Sequence, residues 1–221
     1  EALILRLDAP MMSFGTVLID QHGFIDRFPG TSMLCGLIAN ALGWDHSHFD
    51  RLQALQERLE YAARWDVAPI RSIDYHTVDI SQHKMSGQSW TTRGVPEHHG
   101  SNKEGTTHQR YRHYWEDGLA TVALTLTPNA LPDLKQVEDA LRRPVRPLFI
   151  GRKTCVPSRP LLDPVTPIAR GDDLVAILSS VPVWDRYGQP IQDAQPREAC
   201  WPGRLIDRYP GDFVRAADVR D

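Results

Sequence analysis

Histidines and a run of unopposed cations are the side chains of this sequence best suited to chemistry on a phosphate. His83, His98, His99, His108 and His113 lie in or beside the stretch from about Ile70 to Glu116, and His76 stands at its entrance. A positioned histidine acting as general base, beside a Lys or Arg that steadies a charged phosphorane, is enough to cut RNA without a metal. His76, His108 and Lys84 are the residues for that reaction, with His113, Arg110 and Arg112 nearby. Clustered histidines also suggest zinc, but no cysteine is close, His98-His99 is an adjacent pair rather than an i, i+4 pair, and no His-Glu-x-x-His occurs. A metal site is not expected. Ser13 and Ser32 sit in no Gly-x-Ser-x-Gly elbow, Cys35 falls on an apolar helix, and neither a Walker loop nor a dinucleotide glycine pattern is present, so no cofactor is expected.

Binding chemistry is better represented. Arg110, Tyr111, Arg112 and Tyr114 alternate basic and aromatic side chains, a pattern that suits stacking on bases while tracking phosphates, although paired aromatics on an exposed hairpin would look the same. Gly151-Arg152-Lys153-Thr154 places two cations and a hydroxyl after a glycine that lets the backbone approach a ligand; a basic turn is the plainer reading. Between Ala140 and Leu162 lie Arg142, Arg143, Arg146, Arg152, Lys153 and Arg159 with no Asp or Glu. Such a run is either a phosphate-binding face or a solvated arginine-rich edge.

These residues need a scaffold, and the composition supplies one. The chain has 221 residues, 41% hydrophobic and 24% charged, with a formal charge of −3, which fits an ordinary globular protein and excludes a disordered or membrane-embedded one. Cys35, Cys155 and Cys200 are far apart and odd in number, which points to reduced thiols in the cytoplasm. No apolar run approaches the ~20 residues of a membrane helix, so no membrane partner is expected.

Leu3 to Leu7 reads as a buried first strand. Thr31-Ser32 supplies a hydroxyl N-cap to a helix with Leu34, Leu37, Ile38, Ala41 and Leu42 on one stripe, closed by Gly43. A second helix starts near Asp50. Tyr61 to Val67 alternates as a strand, Leu119 to Thr127 is β-branched and alternating, Pro132 opens a helix with Leu134, Val137 and Leu141, and Pro147 to Gly151 reads as a last short strand. With residues 70–116 set aside, the order is strand, helix, strand, strand, helix, strand. That is an α+β, ferredoxin-like or RRM-like split βαβ core, whose four-stranded sheet is a common RNA platform. The set-aside stretch is then an inserted hairpin between the second and third core strands, and residues 157–221 a Pro-rich C-terminal extension packed on a single domain spanning residues 1–221.

Several segments, in this order, resemble the CasD family, the handle-binding subunit of type I-E Cascade within the RAMP superfamily of CRISPR-associated proteins. They are Leu3-Ile4-Leu5-Arg6-Leu7 with Ala9-Pro10-Met11-Met12-Ser13-Phe14-Gly15, Arg27-Phe28-Pro29 into the helix Ser32 to Gly43, Asp74-Tyr75-His76-Thr77-Val78, Arg112-His113-Tyr114-Trp115, and Leu148-Phe149-Ile150-Gly151-Arg152-Lys153-Thr154-Cys155. The resemblance implies that the insertion is a thumb hairpin and that the protein is a non-catalytic cytoplasmic subunit of an antiviral ribonucleoprotein. Its implied partners are the crRNA 5′ handle, the Cascade backbone subunit and the large PAM-reading subunit, with target DNA reached indirectly. The implied RNA-binding residues are Met12, Ser13, Arg27, Thr31, Ser32, Arg110, Arg112, Arg152 and Lys153, with Lys84, Arg93 and Lys103 at the thumb tip; Tyr111 from the aromatic-basic alternation and Arg146 from the basic run are expected beside them. Related members of another subtype cut the repeat with a Tyr, a Lys and a His. Here the place for that Tyr reads Cys35-Gly36-Leu37, which favours the non-catalytic reading over a metal-independent repeat endoribonuclease.

Overall fold

Leu3, Leu5 and Leu7 of the first strand face one way and Ala2, Ile4 and Arg6 the other, and all six are buried, so the strand lies between two covered layers. A computed structural model describes residues 1–16, 21–79, 87–90, 96–99, 107–192, 195–205 and 208–209, with the side chains of 46, 79, 87–90, 96–99, 107 and 108 outside the description. The elements begin β1 (Ala2–Asp8), β2 (Met11–Met12), β3 (His22–Gly23), α1 (Thr31–Ala41), α2 (Phe49–Arg58), β4 (Leu59–Val67) and β5 (Ile70–Asp79). They continue β6 (Gly87–Trp90), β7 (Pro96–His99), β8 (Thr107–Glu116), β9 (Leu119–Leu126), α3 (Leu134–Arg142), β10 (Ile168–Ala169), α4 (Leu174–Ser180), β11 (Val183–Trp184), β12 (Pro190–Ile191) and β13 (Ala199–Cys200).

The main sheet is antiparallel in the order β10-β1-β9-β4-β13. Its first four strands stand in the order of the ferredoxin-like fold, with α1 and α3 as the two crossover helices. The fourth core strand is a correction to the sequence reading. Residues 147–151 are not a strand: they run irregularly into a turn over residues 150–155, where buried Ile150 donates its N–H to the Cys155 carbonyl at 2.8 Å. The edge beside β1 is instead taken by residues 161–169, where Arg6 donates to Leu161, Asp163 to Ile4, and Ile4 to Pro167.

Helix α1 buries Leu34, Leu37, Ile38 and Ala41 against Leu3, Leu5, Leu7, Val122 and Leu124. Its end is a Schellman turn: Gly43 adopts φ +78°, Gly43 N–H donates to Asn40 O and Trp44 N–H to Ala39 O. Its start differs from the expected hydroxyl cap, because Gly30 is the N-cap and no side chain caps the first turn. Helix α3 is capped by Asp133, one residue beyond Pro132, in a reciprocal box with Gln136.

The second face of the sheet is closed. Ala2, Ile4, Ala62 and Ala123 pack beneath Leu174, Ile177, Leu178 and Val181. Beside them a buried polar network locks the later chain onto the sheet. Arg6 donates to Asp66 and Asp163, each at 2.8 Å, to Thr121, and to the Pro182 carbonyl at 3.0 Å. Arg64 binds the other oxygen of Asp66 at 2.7 Å and the carbonyls of Leu178 and Val181. Trp184 donates its backbone N–H to Asp66 at 2.8 Å and lies 4.2 Å from the Arg6 guanidinium. The open RNA platform that a bare four-stranded sheet would offer is therefore a second core in this protein.

Candidate nucleic-acid interface

With the sheet face sealed, exposed side chains that suit a polyanion are found on the hairpin of β5 and β8 and on the glycine loop beside it. Its ten residue pairs run without a register break from Ile70 opposite Glu116 to Asp79 opposite Thr107. Strand β8 is also held on its other edge: β2 pairs with Trp115 and Glu116, and β3 runs parallel to it at Tyr111 and Arg112. The hairpin thus grows out of a small sheet fixed to the body, and period-two alternation gives it two chemically different faces.

One face carries Tyr114, Arg112 and Arg110. Two-residue steps along a strand are ~6.8 Å, so the two arginines form a short cationic row. Arg112 is exposed with no ion pair among the described residues, and Arg110 is also exposed. Arg152 arrives at the base of this row, its guanidinium 4.8 Å from the Tyr114 ring centre. It donates to the His113 carbonyl at 2.7 Å and to the Gly23 carbonyl at 3.1 Å, bolting β8 and β3 to the glycine loop. Gly151 is required by that junction. Its φ is +95°, and a Cβ there would stand 1.8 Å from the Ser13 carbonyl oxygen. The close approach read from the sequence is real, but it is to the backbone of Ser13. Lys153, next in the turn, is exposed and unpaired among the described residues.

The other face carries Trp115, His113 and Tyr111. Arg27 lies there, 4.7 Å from the Trp115 ring centre and bonded through Nε to Glu198 at 2.8 Å. Arg27, Arg112 and Arg152 therefore gather around one strand, with Arg27 on the opposite side from the other two.

The two candidate histidines whose side chains are described, His113 and His76, stand in different environments. His113 is buried, its Nδ1 accepting from Arg71 at 2.9 Å and its Nε2 without a hydrogen-bond partner among the described residues. Burial, then the charges of Arg71, His22 and Arg152, hold its pKa below the ordinary histidine value, so it is a neutral packing group rather than a base. His76 is half-exposed with Nε2 2.5 Å from the Asp74 carboxylate. That pair orients an imidazole, but the side chains of His108 and Lys84 lie outside the described residues. Among the described residues no group of three His, Cys, Asp or Glu side chains could hold a metal. No described helix is long and apolar enough to cross a membrane.

The family model for CRISPR-associated protein (Cas_Cas5) matches residues 2–221. The chain belongs to this CRISPR-associated family. A relative in Escherichia coli (strain K12), named CRISPR system Cascade subunit CasD, is 33% identical over 167 residues, covering 72% of this chain and 68% of the relative. A solved structure titled CRISPR RNA-guided surveillance complex shares the fold at a TM-score of 0.62 and 24% identity, over 88% of this chain and 73% of that one.

The remaining residues expected from the sequence are placed unevenly. Met12 and Ser13 are buried, at 0% and 2% exposure, so their side chains belong to the core and the junction beneath Gly151. Arg146 spends its guanidinium on the Gly43 and Trp44 carbonyls, each at 2.8 Å, at the end of α1. Thr31 and Ser32 open α1, half-buried and exposed respectively. Ser32 lines a groove of about 560 Å³ with Lys153, Phe149 and Trp44. Lys84, Arg93 and Lys103 lie outside the described residues. Of the six-cation run, Arg142 pairs with Glu138 and Arg159 with Asp8, so most of it supports structure. Sequence reasoning assigned no role to His22, Phe24 and Tyr75, whose rings line up with Tyr111 on one hairpin face; the aromatic-basic alternation of β8 was the only local sign of them.

Proposed function

We propose that the protein is a non-catalytic subunit of a CRISPR surveillance complex, binding the 5′ handle of crRNA at the base of a thumb hairpin (residues 70–116) and linking the backbone and large subunits. Family membership and the name of the E. coli relative support the assembly. The observation that carries the RNA reading is the convergence of β3, β8 and the glycine loop on Arg152, which sets Arg112 and Lys153 out to solvent on a rigid base. Phosphates are the groups such fixed, unpaired cations hold.

The test is handle-RNA binding by the purified chain across a KCl series. Arg112→Ala and Lys153→Ala should each flatten the log–log salt slope by about 0.7, the single-strand value per phosphate. Arg152→Ala should instead lower thermal stability, because its guanidinium serves two carbonyls. Unchanged slopes in both Arg112→Ala and Lys153→Ala would reject the interface. The enzymatic alternative retains the His76–Asp74 pair. A discrete cut of the repeat RNA in EDTA, abolished by His76→Ala, would establish it in place of the non-catalytic reading.

A further inference from the structure

Four rings form a continuous ladder on the hairpin face opposite Arg112. His22 stacks with Phe24, at 5.3 Å and 11° between planes, and with Tyr111, at 4.8 Å and 13°. Tyr111 in turn meets Tyr75 directly across the strands at 5.0 Å. The inner end is anchored, since Phe24 packs on buried His113 at 5.0 Å. The outer end is open: Tyr75 is 51% exposed, and it lies on β5, whose only strand partner among the described residues is β8.

The charge on this face fits a polyanion. Arg71, Ile73, Tyr75, Thr77, Gln109 and Tyr111 share it, and Asp79, at the far end of the pairing, is the one acidic residue of β5 or β8 whose register falls on that side, two pairs beyond Tyr75. Arg71 is exposed there. A protein partner could cover Ile73 and Tyr75 but would have to bury Arg71, Thr77 and Gln109 with them. A nucleotide needs only a ring to stack on and a cation beside it.

We infer that Tyr75 is a stacking platform for one unpaired base of the bound RNA, with the strand crossing the open edge of β5 so that both hairpin faces contact it. This rests on the RNA-binding reading above. The ladder beneath Tyr75 fixes its ring before RNA arrives, so little side-chain freedom is lost on stacking.

The full chain would be mixed with handle RNAs carrying 2-aminopurine at each position in turn. One position should be quenched by the wild type and by Tyr75→Phe but not by Tyr75→Ala, and Tyr75→Ala should bind about ten-fold more weakly. An abasic site at that position should weaken the wild type to the same extent and leave Tyr75→Ala unaffected. If Arg112→Ala flattens the salt slope while Tyr75→Ala binds normally with quenching intact, the stacking role is overturned and the interface stands. If Tyr75→Ala binds RNA normally but no longer assembles with partner subunits, Tyr75 is a protein contact and the inference is equally overturned. If the wild type binds no RNA, the interface fails and the inference with it.

Discussion

Replacing Asp66 by Asn should loosen the C-terminal part of the chain from the sheet. One Asp66 oxygen accepts from Arg6, Thr121 and the Trp184 backbone, and the other from Arg64, all at 2.7–2.8 Å with the carboxylate fully buried. The network balances two guanidiniums, Arg6 and Arg64, against two carboxylates, Asp66 and Asp163. Asparagine keeps the shape but leaves a net buried positive charge and turns an N–H₂ toward a guanidinium. Removing one partner from a buried ion pair costs about 3–5 kcal/mol. For a chain of this size each kcal/mol moves the melting temperature by ~2–4 °C, so a fall of about 10 °C is expected. Thermal melts followed by circular dichroism would give the loss. Tryptophan emission should report its site, because Trp184 is 6% exposed and stacked on Arg6 and should shift to the red as it becomes hydrated. A change in melting temperature under about 2 °C would refute the account of Asp66 as the hub.

Two further outcomes follow from the hairpin base. Gly151→Ala should destabilise the protein by about 2 kcal/mol or more, through strain at φ +95° and collision with Ser13, and should reduce RNA affinity by displacing Lys153; urea melts and handle binding would check both. Because the folded pKa of His113 lies below its unfolded value of about 6.5, the unfolded chain takes up the proton more readily as pH falls, so this residue's contribution is present above that value and lost on acidification. The urea midpoint should therefore drop between pH 7.5 and pH 5.5, and His113→Gln should flatten that dependence; an equally steep profile in the variant would exclude His113 as its source.

The elements with local signatures were legible. Helix α1 announced its buried stripe and its glycine turn, and β9 its alternation, because both depend on neighbours within a few residues. The fourth core strand was not, since β10 is two residues long and its continuation toward Leu161 is set by bonds to β1 rather than by its own pattern, while the apolar run ending at Ile150 serves a turn. The cations show the same limit. Arg142 facing Glu138 could be read from helical spacing, but Arg146 on Gly43, Arg152 on Gly23 and Arg159 on Asp8 close contacts more than a hundred residues apart. Arg6 is the one charged residue within the apolar run Leu3 to Leu7. Its counter-charges stand 60 and 157 positions away, so only the fold reveals it as buried and paired.

Strand β8 has partners along both edges, with β5 over its full length, β2 at its foot and β3 at its middle. Ten residues of extended chain reach ~34 Å, so what projects from the body is a braced spar rather than a swinging arm. On the proposed function, whatever is grasped along it is set at a distance and angle dictated by the subunit itself, which would make this protein a gauge of spacing between its neighbours.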